Sequence, residues 1–600
     1  MCRSIPEAAK MPKDRKKDAP SAAAAAAGAG SPTTAVVVVA DAQRPSVSAS
    51  AKSEKHHPPA TYQMRALLEI TLPVLITNLS QAALPLTSFA YAGRLTDAVS
   101  LAGLGLGISV CNITGVCIYY GMGTGIELLC AQAFGAKNNR LVGLAFARGT
   151  LLTTFAFIPV GFLWFYMESV LLAVGQQPNV AHITGTFSRA YLWGMIPYAV
   201  FENLKRCLQA QSVVAPIMVV TLFGVLANVI FHHLTMVIFG MGVYGAGLAL
   251  ALTGMFLLTI LIAYTWAFSL GAEGCWTGLW SWEVFQRWPG YIVLCIPGLT
   301  GVLVEWTSVE ASTVLAGLLG EEELATQIMI LSAYGIAFQF ALSIGIAVNI
   351  RVGNFLGAGD PTEARRAAVC GVRLALVAAA LAVLGLGLGR SQWPRLYGVH
   401  GDVLDRIIHL APVYVVAQMI DMTQFVCTGI LKGMGYQRLQ AIAAGVGFWV
   451  VGVPLSAYLG VYKAWGLKGL WGSMATAEGP LLIFYLLVLR SADWDDCAVR
   501  AAARVQDHFT LVETAPSSPR NVSDSDNDPD SCSSRGGRKG PVSVIPWWGR
   551  GDEDEEEGFG HYGGGGRGTA LSTGKPKGLG RVGESSKLKA AGPLLPRPRQ

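Results

Sequence analysis

Apolar runs of about 20 residues, the length that crosses the hydrocarbon core of a bilayer, recur along the chain from residue 66 to residue 489. Twelve helices are predicted from them, over 66–91, 98–131, 143–167, 187–208, 214–239, 242–268, 289–318, 324–350, 366–389, 405–431, 438–460 and 465–489. Pro73, Pro85, Pro197, Pro297, Pro412 and Pro454 fall inside these runs. Membrane helices tolerate such prolines where neighbouring helices or cavity water satisfy the freed backbone groups. The two ends read differently. Residues 1–60 carry an alanine run (Ala22 to Ala27) and Lys/Arg clusters, and residues 491–600 carry Ser523-Asp524-Ser525-Asp526, the acidic run Asp552 to Glu557 and a glycine run at Gly563 to Gly566. Composition of that kind buries no core, so both ends are expected to be disordered cytosolic tails. The acids Glu7, Asp14, Asp18, Asp41 and Glu54 argue against a plastid transit peptide in the first of them.

Composition sharpens this picture. Of 600 residues, 52% are apolar and 14% charged. Residues 61–490 hold only 39 of the 84 charged side chains, about 9% of that segment against roughly 25% for an ordinary soluble protein. No soluble enzyme of several domains has so few charges to cover its surface. The net charge of +6 lies in tails and short loops, not in the single basic patch that nucleic acid requires. Eleven cysteines are scattered without a Cys-x-x-Cys pair, so neither a zinc site nor a disulfide framework is predicted. No metal-binding motif appears, and His232-His233 stands alone in helix 5. The Gly-rich runs Gly103 to Gly107 and Gly385 to Gly389 follow no strand and are expected to serve close helix packing.

Loop charge gives the orientation. Loops after even-numbered helices carry Lys137, Arg140, Lys205, Arg206, Arg287, Arg351, Arg365, Arg366, Lys432 and Arg438; the others carry Arg94, Arg390, Arg395, Lys463 and Lys468. Lys and Arg favour the cytosolic side, so both termini are expected there. The halves also repeat. Pro73 matches Pro297 at a shift of 224, Leu101-Ala102 matches Leu324-Ala325 at 223, and Phe134-Gly135-Ala136 matches Leu356-Gly357-Ala358 at 222. Gly242 and Gly245 match Gly466 and Gly469 at 224. Six helices per repeat leave the two halves in the same orientation, related by an axis along the membrane normal. Such a pair around a central cavity is an architecture of secondary transporters. The expected division is therefore an N-lobe over 61–270, an interlobe cytosolic linker over 271–288 and a C-lobe over 289–490.

The repeated segments carry a family resemblance. Asn112-Ile113-Thr114-Gly115, the run Gly121-Met122 through Glu127, and Ala131-Gln132-Ala133-Phe134-Gly135-Ala136 resemble multidrug and toxic compound extrusion carriers of plant type. The second half continues the likeness with Glu305-Trp306, Arg351 through Gly359, Asp421 followed by Gly429, Gly433 and Gly435, and Val451-Gly452-Val453-Pro454. It covers residues 62–495, ends at Asp493-Trp494 and carries nothing over to the tails. The resemblance implies twelve helices in two six-helix lobes, alternating access, and efflux of organic solutes in exchange for protons or, less readily, sodium.

An ionisable residue inside a membrane helix is costly and is a functional candidate by default. Glu305 and Glu310 in helix 7 and Asp421 in helix 10 are the candidates for proton or cation coupling. Five residues apart, Glu305 and Glu310 point about 140° apart on a straight helix; Glu305 and Asp421 are expected to face the second lobe's cavity, as the resemblance implies, and Glu310 to bind a neighbouring helix. Trp306, Tyr334, Phe338, Asn112, Gln132, Glu127 and Tyr436 are the candidates for the substrate cavity. Asn78 is expected to bond between helices, and Glu202 to pair with Arg206 at i,i+4. Ser332 stands where some vertebrate relatives carry a further glutamate, so the resemblance supplies no third carboxylate there.

The reading is a non-enzymatic secondary antiporter that exports small organic compounds against protons without an organic cofactor. It is expected to act as a monomer in the plasma membrane or a vacuolar or endosomal membrane, with the lipid bilayer and small solutes as partners. A lipid or lipid-linked precursor flippase would need basic head-group residues, but the mid-membrane charges are mainly acidic. A receptor or scaffold signalling through residues 491–600 would survive neutralisation of Glu305 and Asp421.

Overall fold

The computed structural model describes residues 60–276, 281–396 and 398–509. The tails expected to be disordered fall, up to residue 59 and from residue 510 on, outside the described residues. Twelve long helices follow one another: α1 (Ala60–Leu95), α2 (Ala98–Gly135), α3 (Asn139–Phe165), α4 (Pro178–Ala210), α5 (Ala215–Ile238) and α6 (Gly242–Ala267) in the first half. The second half holds α7 (Trp288–Leu319), α8 (Glu321–Gly357), α9 (Pro361–Leu388), α10 (Asp402–Met434), α11 (Gln437–Tyr462) and α12 (Gly466–Ser491). Eleven of these are long and apolar enough to cross a membrane among the described residues. The remaining one, α4, has the length of a span but contains Arg189, Glu202, Lys205 and Arg206. It also starts at Pro178, nine residues before the expected boundary, because proline at the first helical position has the right φ and no N–H to lose.

The two halves share one neighbour scheme. In the first, α1 packs on α5, α2 on α3 and α4, and α4 on α3 and α6; in the second, α7 packs on α11, α8 on α9 and α10, and α10 on α9 and α12. The correspondence reaches single residues. Asn138 caps α3 by accepting from the Leu141 amide at 3.1 Å, and Asp360 caps α9 by accepting from the Glu363 amide at 3.1 Å. Each cap satisfies an amide left over at a helix start. The residue before each cap has positive φ, 59° at Lys137 and 69° at Gly359.

The halves touch at the end of the molecule that carries these two loops. There Gly135 lies against the Asn354 carbonyl and Gly357 against the Gln132 carbonyl, so the two repeated Gly-Ala motifs pack on each other, while Gly121 and Gly125 of α2 admit Leu299 and Cys295 of α7. Small residues allow helix backbones this close. Helix α1 adds a second crossing: Asn78 Nδ2 donates to Ser343 Oγ at 3.0 Å, and Gln63 accepts from Arg351 at 2.7 Å while donating to Glu363 at 2.5 Å. Asn78 thus bonds between helices. Gly103 and Gly107 admit Ile183 and Phe187 of α4, whereas Gly385 meets nothing within 4 Å, so of the two glycine runs the first serves helix packing. The nine cysteines among the described residues are buried. The linker's Glu283 takes both carboxylate oxygens to Arg140 at 2.8 Å, and its carbonyl accepts from Arg148 at 3.0 Å.

One element corrects the sequence reading. The segment read as tail from residue 491 begins with a further helix, α13 (Trp494–Phe509). Trp494, Cys497, Ala498, Ala501 and Val505 are buried along it, at the i, i+3, i+4, i+7 spacing of an amphipathic stripe. Asp493 caps its start by accepting from the Asp495 and Asp496 amides. Helix α13 lies across the junction, touching α2 and α3 of one half and α8 and α9 of the other. Arg504 reaches in to donate to Gln132 Oε1 at 2.5 Å and to the Met434 carbonyl at 3.3 Å. It covers Gly435, which ends α10 with φ at 81°.

Candidate functional site: a cavity between the two halves

Beyond that junction the halves part around a cavity of about 680 Å³. Its walls come from α1, α2, α4 and α6 on one side and α7, α8, α10, α11 and α12 on the other. On α2 the lining stops at Tyr120, one residue before the glycines that meet α7. Within the lining stretch, Asn112–Val116 is wound as a π-helical turn, a local insertion frequent at functional sites. The Thr114 hydroxyl donates back to the Val110 carbonyl at 2.7 Å and accepts from the Trp164 indole at 2.8 Å. That turn leaves Asn112 on the cavity wall.

In the first half the acids Glu202 and Glu127 are paired. Lys205 Nζ lies 2.8 Å from Glu202 and donates to Gln81 Oε1 at 2.8 Å, while Gln81 Nε2 donates to Glu202 and to Tyr198 at 2.9 Å. Arg206 forms an ion pair with Glu127, which also accepts from Asn349 Nδ2 of α8 at 3.2 Å. The Arg206 guanidinium sits 4.2 Å over the Tyr120 ring. The expected Glu202–Arg206 pair is therefore replaced by Glu202–Lys205 at i,i+3, since Arg206 is drawn across to Glu127 on α2.

In the second half the acids that line the cavity are not. Glu305, Glu310, Asp421 and Glu478 all line the cavity, and none has an ion-pair partner among the described residues. Tyr334 donates its hydroxyl to Asp421. Glu305 Oε1 and Glu478 Oε2 are buried without a hydrogen-bond partner among the described residues. Glu305 is within electrostatic reach of Asp421, whereas Glu310 turns toward α2 and Cys117. The two glutamates of α7 thus leave on different faces, yet both reach the cavity because it wraps round two sides of that helix. Aromatic rings fill the space between: Tyr334 lies 5.7 Å from Trp471 and stacks at 6.3 Å on Phe338, and Trp306 meets Tyr120 of the other half at 5.9 Å.

Of the expected cavity residues, Trp306, Tyr334, Phe338 and Asn112 line it. Gln132, Glu127 and Tyr436 do not. Gln132 is buried in the junction, donating to the Gly433 carbonyl at 3.1 Å and accepting from Arg504; Glu127 is held by Arg206; Tyr436 accepts from the Cys497 thiol of α13. All three belong to the end where the halves close, so their polarity is spent on joining helices. Ser332 is exposed and bonds to the Ile328 carbonyl of its own helix. His232 is satisfied by Ser88 and the Asn228 carbonyl, each at 2.8 Å, and the described residues hold no metal-ligand cluster. Sequence reasoning passed over Glu478, although the rule that picked out Glu305 applies to an acid between Ala477 and Gly479 just as well.

Two repeated bundles of membrane helices enclosing one cavity lined by carboxylates and aromatic rings define a multi-pass membrane transporter. The MatE family model matches residues 73–234 and again 297–458, the second match starting 224 residues after the first, the shift that aligns Pro73 with Pro297. Protein DETOXIFICATION 49 of Arabidopsis thaliana is 30% identical over 435 residues, covering 72% of this chain and 86% of that relative. Multidrug and toxin extrusion protein 1 of Danio rerio is 29% identical over 442 residues, covering 73% and 74%. The crystal structure of the eukaryotic MATE transporter AtDTX14 superposes with a TM-score of 0.70 at 24% identity, covering 74% of this chain and 99% of that one. The chain belongs to the MatE family.

Proposed function

We propose that this transporter exports small organic compounds, cationic ones foremost, in exchange for protons by alternating access. The observation that carries the reading is the cavity wall itself: four carboxylates without ion-pair partners in a space of about 680 Å³. A carboxylate removed from water favours its neutral form, and a second one nearby strengthens that preference. Such a group takes a proton when the cavity faces an acidic compartment. It gives the proton up when a cation arrives or the cavity turns to a neutral one. The Lys/Arg count assigns the junction and α13 to the cytosol, so the cavity lies toward the opposite side of it. We place the carrier in the plasma membrane or a vacuolar or endosomal membrane, working as a monomer with its small substrate and the bilayer as its partners.

The test is uptake into proteoliposomes under an imposed pH gradient, using matched cationic, neutral and anionic compounds. Accumulation of the cationic set, lost when the pH gradient is collapsed and unaffected by sodium, is the expected result. Equal accumulation with no gradient, or with a sodium gradient alone, overturns it.

A further inference from the structure

Helix α12 brings to the cavity a third carboxylate beside Glu305 and Asp421. Trp471, Met474 and Glu478 follow at intervals of three and four, which puts them on one helical face, and all three line the cavity. Glu478 is only 4% exposed, and its Oε2 has no hydrogen-bond partner among the described residues. Its carboxylate lies within electrostatic reach of Asp421 and Glu305. The facing groups are Glu305 from α7, Tyr334 from α8, and Asp421 from α10. Lys432 of α10 lies further toward the junction, in reach of Glu305 and 5.8 Å from the Phe425 ring.

The charge balance of this chamber decides what it can hold. Glu310 turns away toward α2; the other three carboxylates, ionised, against one lysine leave two negative charges uncompensated. An uncompensated buried charge costs several kcal/mol, so the chamber is at rest only with about two positive charges added. Two carboxylates and a lysine would need one proton or one singly charged ligand; the third carboxylate adds room for a second charge. Trp471 supports the same conclusion. Its indole N–H is fixed by Gln327 Oε1 at 2.8 Å, which holds the ring beside Tyr334, and aromatic faces attract quaternary ammonium groups.

We propose that Glu478 is the residue that selects doubly charged organic cations: it equips the second half to hold two positive charges at once, with Trp471 and Tyr334 facing the ammonium groups. This rests on the exchange reading and adds the ligand's charge to it.

The experiment uses the full chain in proteoliposomes and two matched probes. Hexamethonium carries two quaternary ammonium groups on a six-carbon chain, and hexyltrimethylammonium carries one. The quantity read is the ratio of kcat/KM for the two, in which the amount of folded protein cancels. Wild type is expected to prefer hexamethonium. Glu478→Gln is expected to lower that ratio by about 30-fold, because removing one charge from a low-dielectric site weakens the doubly charged ligand most. Glu478→Asp, which keeps the charge, is expected to stay within about 5-fold of wild type. A ratio unchanged by Glu478→Gln, or wild-type transport of hexyltrimethylammonium alone, overturns the proposal while leaving proton exchange intact. Transport of neither probe under a pH gradient overturns both.

Discussion

The two halves have the same helices in the same order, with the same caps at Asn138 and Asp360, but around the cavity they treat buried acids in opposite ways. In the first half Glu202 and Glu127 each have a cation, Lys205 and Arg206, held by further bonds from Gln81 and Asn349. In the second half Glu305, Asp421 and Glu478 share one chamber with no such partner. A paired acid is neutralised by the fold itself and has no reason to change its charge during a cycle. An unpaired one must find its positive charge from outside, as a proton or a ligand. One repeated bundle thus yields a fixed polar wedge on one side and an exchangeable site on the other.

Breaking the wedge should give the largest effect. Lys205→Met strands Glu202, which is almost fully buried, and is expected to cost about 3–5 kcal/mol of stability, seen as a lowered unfolding midpoint in detergent. The double variant Lys205→Met/Glu202→Gln should recover most of that loss. An unchanged midpoint in the single variant would remove the distinction between the halves.

In the second half the same kind of change should act on transport and not on the fold. Glu305→Gln and Asp421→Asn are each expected to lower pH-driven export about 100-fold, or ~2.7 kcal/mol, with membrane insertion and unfolding midpoint preserved. Normal pH-driven transport by both variants would place coupling elsewhere.

A smaller effect sits where the halves are joined. Arg504→Ala removes the charged donor to Gln132 Oε1, leaving a buried acceptor unpaired, at about 1–2 kcal/mol. Faster hydrogen exchange in α13, with little change in α4 or α10, is the measurement that checks it. The smallest effect is a pH dependence of the same helix. Burial, helped by Arg148 and Arg287, holds His508 below the usual imidazole range. Released from the junction, His508 takes up a proton at its ordinary pKa near 6.5; docked, it resists doing so. Docking is therefore fully present above that pH and weakens as pH falls below it, so the protection of α13, taken relative to the intrinsic amide exchange rate at each pH, should fall between about pH 7 and pH 5.5. A flat profile would show that His508 contributes nothing to the junction.

Much of this could be read from residues alone where the signal is local. The apolar runs locate the helices, and the shift of 224 foretells the two family matches. Glu305 and Asp421 stand out because acids are rare in such runs. Other features depend on distant contacts. Glu127, Gln132 and Tyr436 look like cavity residues in a one-dimensional reading, but the junction claims them. Trp494 to Val505 resembles tail until one sees the cleft between α2 and α8 that receives its apolar stripe. Glu478 becomes a member of the site only because α12 stands opposite α7.

Sequence by itself therefore determined the solvent each segment prefers and the internal repeat, since transfer between water and hydrocarbon is set residue by residue. Tertiary structure decided which buried charges meet across helices, as Arg206 meets Glu127. That outcome depends on distances of a few ångströms between side chains as far as 79 residues apart in the Glu127–Arg206 pair and 173 in Glu305 and Glu478, and in a low dielectric those distances separate a neutralised pair from a site that must borrow its charge.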